Sequence, residues 1–89
     1  MKYRENDTIK IVQDYIGGTY RSHYSKDEKS VQTLDLLEAI GTAEAFCQSN
    51  IIKYAKRFGK KDGDNPKDIM KIIHYCIFLL NELDYQRNG

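Results

Sequence analysis

The chain has 89 residues, 40% of them hydrophobic and 30% charged, with a formal net charge of +1. That balance belongs to an ordinary soluble globular chain rather than a disordered tail, and the length allows one domain whose modest core a second copy would help complete. The longest apolar run is Cys76 to Leu80 and the start, MKYRENDTIK, has no apolar leader core, so we expect neither a membrane span nor a secretory signal, and an intracellular, cytoplasmic protein.

In chain order, Asn6 or Asp7 can cap a short helix through Ile16 that Gly17 and Gly18 would stop, although the alternation of Ile9 and Ile11 leaves a strand open for residues 8–16. Residues 21–30 are polar and turn-like and carry Ser22, His23 and Tyr24 on what should be an ordered loop. TLDLLEAIG reads as a helix capped by Thr33 and ended at Gly41. Thr42 then caps a helix running to about Phe58, with Gly59 as its left-handed terminator. In GDNPKDIM, Asn65 suits the cap, Pro66 the first helical position and Asp68 the positive helix end, and a long helix should follow to about Tyr85. Residues 59–65 make a short reversing loop, so these two helices should lie antiparallel. The expected fold is all-α, a small helical bundle with a long C-terminal helix, oligomeric.

Ile69, Ile73, Cys76, Leu80 and Leu83 form the predicted core stripe of the last helix, while Met70, Ile77, Phe78 and Leu79 widen its apolar surface beyond one face. Such a helix is either central to its own bundle or shared with a second chain. Cys47 and Cys76 fall on predicted apolar faces without a CxxC spacing, which reads as reduced thiols rather than a disulfide.

The segment NIIKYAKRFGKK holds Lys53, Lys56, Arg57, Lys60 and Lys61 and no carboxylate, whereas the rest of the chain has nine cations against thirteen acids. The positive field is local, which argues for a compact anion site or a solvated helix end and against a general nucleic-acid coat. Along that helix Phe46, Cys47, Ile51, Ala55 and Phe58 form the predicted apolar face, with Asn50, Lys53, Tyr54, Arg57 and Lys61 following at intervals of three and four on its margin. Cations can neutralise phosphate, an amide can read a base or ribose edge and a phenol can stack. The plainer account ties Asn50 to a backbone carbonyl and leaves the cations to oppose the helix dipole. Lys67, Lys71, His74, Tyr75 and Phe78 on the last helix make a similar stripe that can face the first, His74 alone reading as a satisfied histidine rather than a catalyst. Asp35 and Glu38, one turn apart, could serve as a base or a metal partner, though a solvated carboxylate pair is the commoner arrangement. The two histidines and two cysteines lack the paired spacing of a zinc site, and Gly59-Lys60-Lys61 is not a P-loop, so no metal is expected.

SHY, LDLLEAI, FCQSNIIKYAKRFGKKDG and DIMKIIHYCIFLLNEL together resemble the small, mostly phage-borne SaV-like family, also labelled nucleotide kinase-like and catalogued as a domain of unknown function. The resemblance spans residues 23–83 of a single domain and leaves residues 1–20 outside as an extension. Its matching positions are His23, Tyr24, Asn50, Lys53, Tyr54, Arg57, Lys61, Lys71 and Tyr75, with Ser22 standing where a Pro is common and no tryptophan around the basic motif. It implies a phage-type protein of the infected bacterial cytoplasm, with nucleoside monophosphate kinase activity attached to some relatives and sensitivity to host abortive defence to others. Of the uses open to it we expect a homo-oligomer that binds a nucleotide-like phosphorylated ligand and sequesters a host defence signal. The alternatives are a P-loop-less nucleoside monophosphate kinase, which would use ATP and Mg, and a non-enzymatic protein that docks on a host or phage partner. Neither a membrane nor sequence-specific nucleic acid is an expected partner.

Overall fold

The computed structural model describes residues 2–19, 28–61 and 63–88, with side chains described at 2–19, 34–61 and 63–83. Four helices occupy them, α1 (Glu5–Thr19), α2 (Glu28–Ala39), α3 (Ala43–Arg57) and α4 (Pro66–Asn88), and no strand occurs among the described residues. The all-α expectation holds. The chain divides into two compact units, Met1–Thr33 and Leu34–Gly89.

In the first unit α1 is longer than the sequence suggests. It is helical throughout residues 8–16, which removes the strand alternative, and it runs through Gly17 and Gly18 to Thr19. Each interior glycine costs only about 1 kcal/mol, too little to end a helix by itself. Thr19 Oγ1 donates to the Tyr15 carbonyl at 3.1 Å within the last turn. No residue of α1 is buried, and Ile9 and Ile11 face solvent. α2 also starts earlier than expected, so residues 28–30 are helix and Thr33 lies inside it rather than at its cap.

In the second unit α2 ends in a closed turn. Gly41 takes φ +79°, its N–H donates to the Glu38 carbonyl at 3.1 Å, and the Thr42 N–H donates to the Leu37 carbonyl at 2.9 Å. This pair of bonds satisfies the carbonyls that a helix end leaves free, and only the left-handed glycine permits it. Thr42 precedes α3 as expected but does not cap it with its side chain; the hydroxyl turns back and donates to the Leu37 carbonyl at 3.5 Å.

α3 and α4 are the helices that pack together among the described residues. They run antiparallel, for the Arg57 end of α3 meets Asp68 and the Cys47 end lies beside Glu82. The connection reverses as its chemistry demands. Gly59 at φ +84° follows α3, its N–H donates across the loop to the Gly63 carbonyl at 2.9 Å, and Gly63 is itself left-handed at φ +68°. Asn65 Oδ1 accepts from the Lys67 N–H at 3.0 Å, so the expected cap of α4 forms with Pro66 in the first helical position.

The contact faces are not the ones the apolar pattern predicts. On α3 the buried and half-buried residues are Ala43, Cys47, Asn50, Ile51, Tyr54, Arg57 and Phe58, while Ala55 and Phe46 are exposed. On α4 they include Asp68, Lys71, His74, Tyr75, Phe78 and Glu82, whereas Ile69, Leu80 and Leu83 of the predicted core stripe are exposed. Phe78, expected to lie off the core, stacks on His74 with centroids 4.5 Å apart and meets Tyr75 edge-on at 6.0 Å. The reason is physical. Aromatic rings and long amphipathic stems on the Asp68–Glu82 side bring apolar surface to the interface and let Asp68 reach Arg57 across it. Both cysteines are free; Cys47 is fully buried, but Cys76 is only half-buried, in the outward stripe.

Candidate functional site: a cation cluster around Tyr54

The polar stripe of α3 and the polar stripe of α4 meet at Tyr54. Its ring stacks with that of Tyr75, centroids 6.2 Å apart and planes 16° from parallel. Phe46 meets Tyr75 edge-on, at 6.0 Å and 73°. Three cations surround the Tyr54 ring: Lys53 Nζ at 5.2 Å, Lys71 Nζ at 5.2 Å and Arg57 Cζ at 5.9 Å from its centroid. Lys53 and Arg57 come from α3 and Lys71 from α4, so the cluster exists only because the two helices pair. A ring face attracts each cation, yet the three repel one another, and that residual field favours an anion among them.

One carboxylate answers them. Asp68, 1% exposed in the first turn of α4, lies 3.5 Å from Arg57 Nε through Oδ1, while its Oδ2 is buried without a hydrogen-bond donor among the described residues. The ion pair fixes the guanidinium across the helix interface. The buried oxygen is an acceptor left without its hydrogen bond.

Asn50 stands one turn before Lys53, half-buried, and its Nδ2 donates to the Phe46 carbonyl at 2.9 Å. The plainer of its two accounts is therefore realised for the amide nitrogen. Lys61 lies exposed in the turn after α3, away from the cations at the ring. Lys67 is exposed as well, so the α4 stripe facing α3 begins at Asp68 rather than Lys67. His23 and Tyr24 lie outside the described residues. Of the nine sequence candidates, the structure thus joins Lys53, Tyr54, Arg57, Lys71 and Tyr75 into one cluster, with Asn50 beside it.

Asp68 and Glu82 were missed as interface residues. Asp68 was read only as a complement to the helix dipole; its place three and seven residues before Lys71 and Tyr75, on their face of α4, was the available signal. At the far end of the pair, burial first, then a hydrogen bond with Glu38, then the charges of Glu38 and Glu44 push the Glu82 carboxyl up from its ordinary range. Glu82 therefore keeps its proton to higher pH than a free carboxyl does, and the hydrogen bond with Glu38 favours that protonated form. Burial, then Glu82 and Glu38, likewise raise the Cys47 thiol. Burial alone lowers the His74 imidazole, favouring its neutral form. Glu38 thus joins Glu82 rather than a base or metal pair with Asp35, which is exposed.

The second unit is therefore a helical hairpin whose interface is aromatic and charged, with a cationic cluster near its turn. The chain belongs to the protein-of-unknown-function family DUF3310, whose model matches residues 18–76. The matched stretch contains all nine sequence candidates from His23 to Tyr75, beginning ahead of residue 23 and stopping short of residue 83. No curated protein and no solved structure matches the chain.

Proposed function

We propose that this protein binds a nucleotide-like phosphorylated small molecule at the Tyr54 cluster. The observation that carries the reading is the convergence of Lys53, Arg57 and Lys71 on one ring at 5.2, 5.9 and 5.2 Å, with Asp68 paired to Arg57. Phosphate oxygens neutralise such a group, and the Tyr54–Tyr75 pair offers aromatic surface to a base. Binding without turnover is the simpler use, since phosphoryl transfer needs two nucleotides held in line in a dry site. In the SaV-like, phage-borne reading, such binding would sequester a host defence signal, and the protein would act as a homo-oligomer.

Calorimetric titration with nucleoside mono-, di- and triphosphates, and with inorganic pyrophosphate as the bare-anion control, tests the reading. We expect saturable binding of at least one nucleotide that pyrophosphate does not equal. Failure of every nucleotide to bind would overturn it, and equal binding of pyrophosphate would reduce the cluster to a diffuse basic surface. Incubating a bound monophosphate with ATP and Mg separates the uses: unchanged ligand is expected, and phosphorylated product would make the protein a kinase.

A further inference from the structure

α4 is inverted for a helix facing water. Between Ile69 and Leu83 its charged side-chain types are Lys71, His74 and Glu82. His74 and Glu82 are buried and Lys71 is half-buried on the side turned to α3, where Lys71 reaches the Tyr54 ring. The opposite side carries Ile69, Ile73, Cys76, Ile77 and Leu80, with Ile69, Ile77 and Leu80 exposed at 43, 42 and 61%. A water-facing helix keeps its charges outward, so this one presents to solvent the surface it should hide.

The spacing of the stripe specifies its occupant. Ile69, Ile73, Cys76, Leu80 and Leu83 follow steps of four, three, four and three, the seam of a helix that pairs with another helix at a shallow angle. The seam is about 21 Å long at 1.5 Å per residue, short for a stable interface by itself, and Met70 and Ile77 along its flank widen it. The flanking positions Met70, Ile72, Ile77 and Leu79 are all uncharged, so a second copy meets no like charge there. The buried apolar residues among those described are Ala43 and Cys47. Two such residues supply too little apolar burial to hold a helical hairpin against the entropy of ordering it. Whatever covers the stripe must therefore be present whenever the chain folds. A second copy meets that condition by stoichiometry, and an occasional partner does not.

We infer that α4 pairs with α4 of a second copy of this chain along Ile69, Ile73, Cys76, Leu80 and Leu83, so that two α3·α4 hairpins form a four-helix arrangement. Cys76 is the midpoint of the seam. Full overlap, parallel or antiparallel, sets it opposite Cys76 of the other copy. The inference deepens the homo-oligomer reading and rests on it, but is independent of the ligand.

Light scattering and thiol cross-linking test it on the full chain. At tens of micromolar the mass should be a multiple of 10.4 kDa. Diamide, which takes up the two electrons and two protons of a pair of thiols, should join two chains covalently in the wild type and in Cys47→Ala but not in Cys76→Ser. Leu80→Lys should weaken association at least tenfold; if that variant does not fold, the Cys76 cross-link decides. A monomeric wild type would overturn both the oligomer and the seam. An oligomer that ignores Leu80→Lys and gives no Cys76 cross-link would overturn the seam alone and leave the oligomer standing.

Discussion

Lys53 and Lys71 are the cleanest probes of the Tyr54 cluster, because neither forms an ion pair with a carboxylate among the described residues. Lys53→Ala and Lys71→Ala should each weaken nucleotide binding by about 1.5–3 kcal/mol, the range of hydrogen bonds to charged groups. Lys56→Ala, exposed on the same helix, should change little beyond a salt-screened field, and titration calorimetry at two salt concentrations checks the contrast. Arg57→Ala is a different experiment. It strands the buried Asp68 carboxylate, so the fold should lose about 3 kcal/mol in urea unfolding along with any ligand affinity. His74 makes a pH prediction. Its folded imidazole titrates below the ordinary value near 6.5, so the unfolded chain binds more protons across that window, and stability should fall as pH drops through 6.5. His74→Gln should flatten this acid limb in melting curves. The chemistry of Lys53, Tyr54, Arg57, Lys71 and Tyr75 was legible from spacing alone, since positions three and four apart share a helix face. The Arg57–Asp68 pair was not, because it joins residues that only the folded loop brings together.

At the scale of elements, the α3–α4 turn depends on Gly59. Its φ of +84° is disfavoured for any side chain, and an added Cβ would lie 3.2 Å from Asp64 Oδ1. Gly59→Ala should cost about 1–2 kcal/mol by denaturant unfolding. The far end of the hairpin responds to pH in the opposite sense to His74. Because the folded Glu82 carboxyl titrates above its ordinary range, its contribution is complete at low pH and is lost as pH rises through the elevated value. Glu82→Gln, which keeps a donor for Glu38, should raise the melting temperature at pH 7 to 8 and lose that advantage near pH 4. Helix starts and stops were readable where local chemistry decides them, at Gly41, Gly59 and Asn65-Pro66. They were misread at Gly17-Gly18 and Thr33, where a modest local preference yields to the continuation of the helix.

Across the whole molecule, the sequence offered α4 two candidate inner faces, one aliphatic with regular spacing and one aromatic with charges. Hydrophobic periodicity favours the first, and the structure turns the second toward α3. Periodicity identifies faces that want cover but not what covers each, so the stripe of Lys71, His74, Tyr75 and Phe78 could be read as one able to face α3, while the exposure of the aliphatic stripe could not. If the aliphatic face is shared between copies, the melting temperature should climb with protein concentration, by several degrees per hundredfold, and scanning calorimetry over that range would detect it. α4 also carries Lys71 and Tyr75 on one side and Ile73 and Leu80 on the other, within a single rigid rod. If the proposed ligand and the proposed α4 pairing both hold, a ligand titration reads two equilibria at once: dilution that separates the copies would loosen the helix on which Lys71, one of the three cations, stands, and ligand that steadies the cations would favour the copies' union. On that coupling, dose–response curves should steepen as the chain becomes more abundant, and such a protein would have a threshold of abundance below which the proposed ligand goes largely uncaptured.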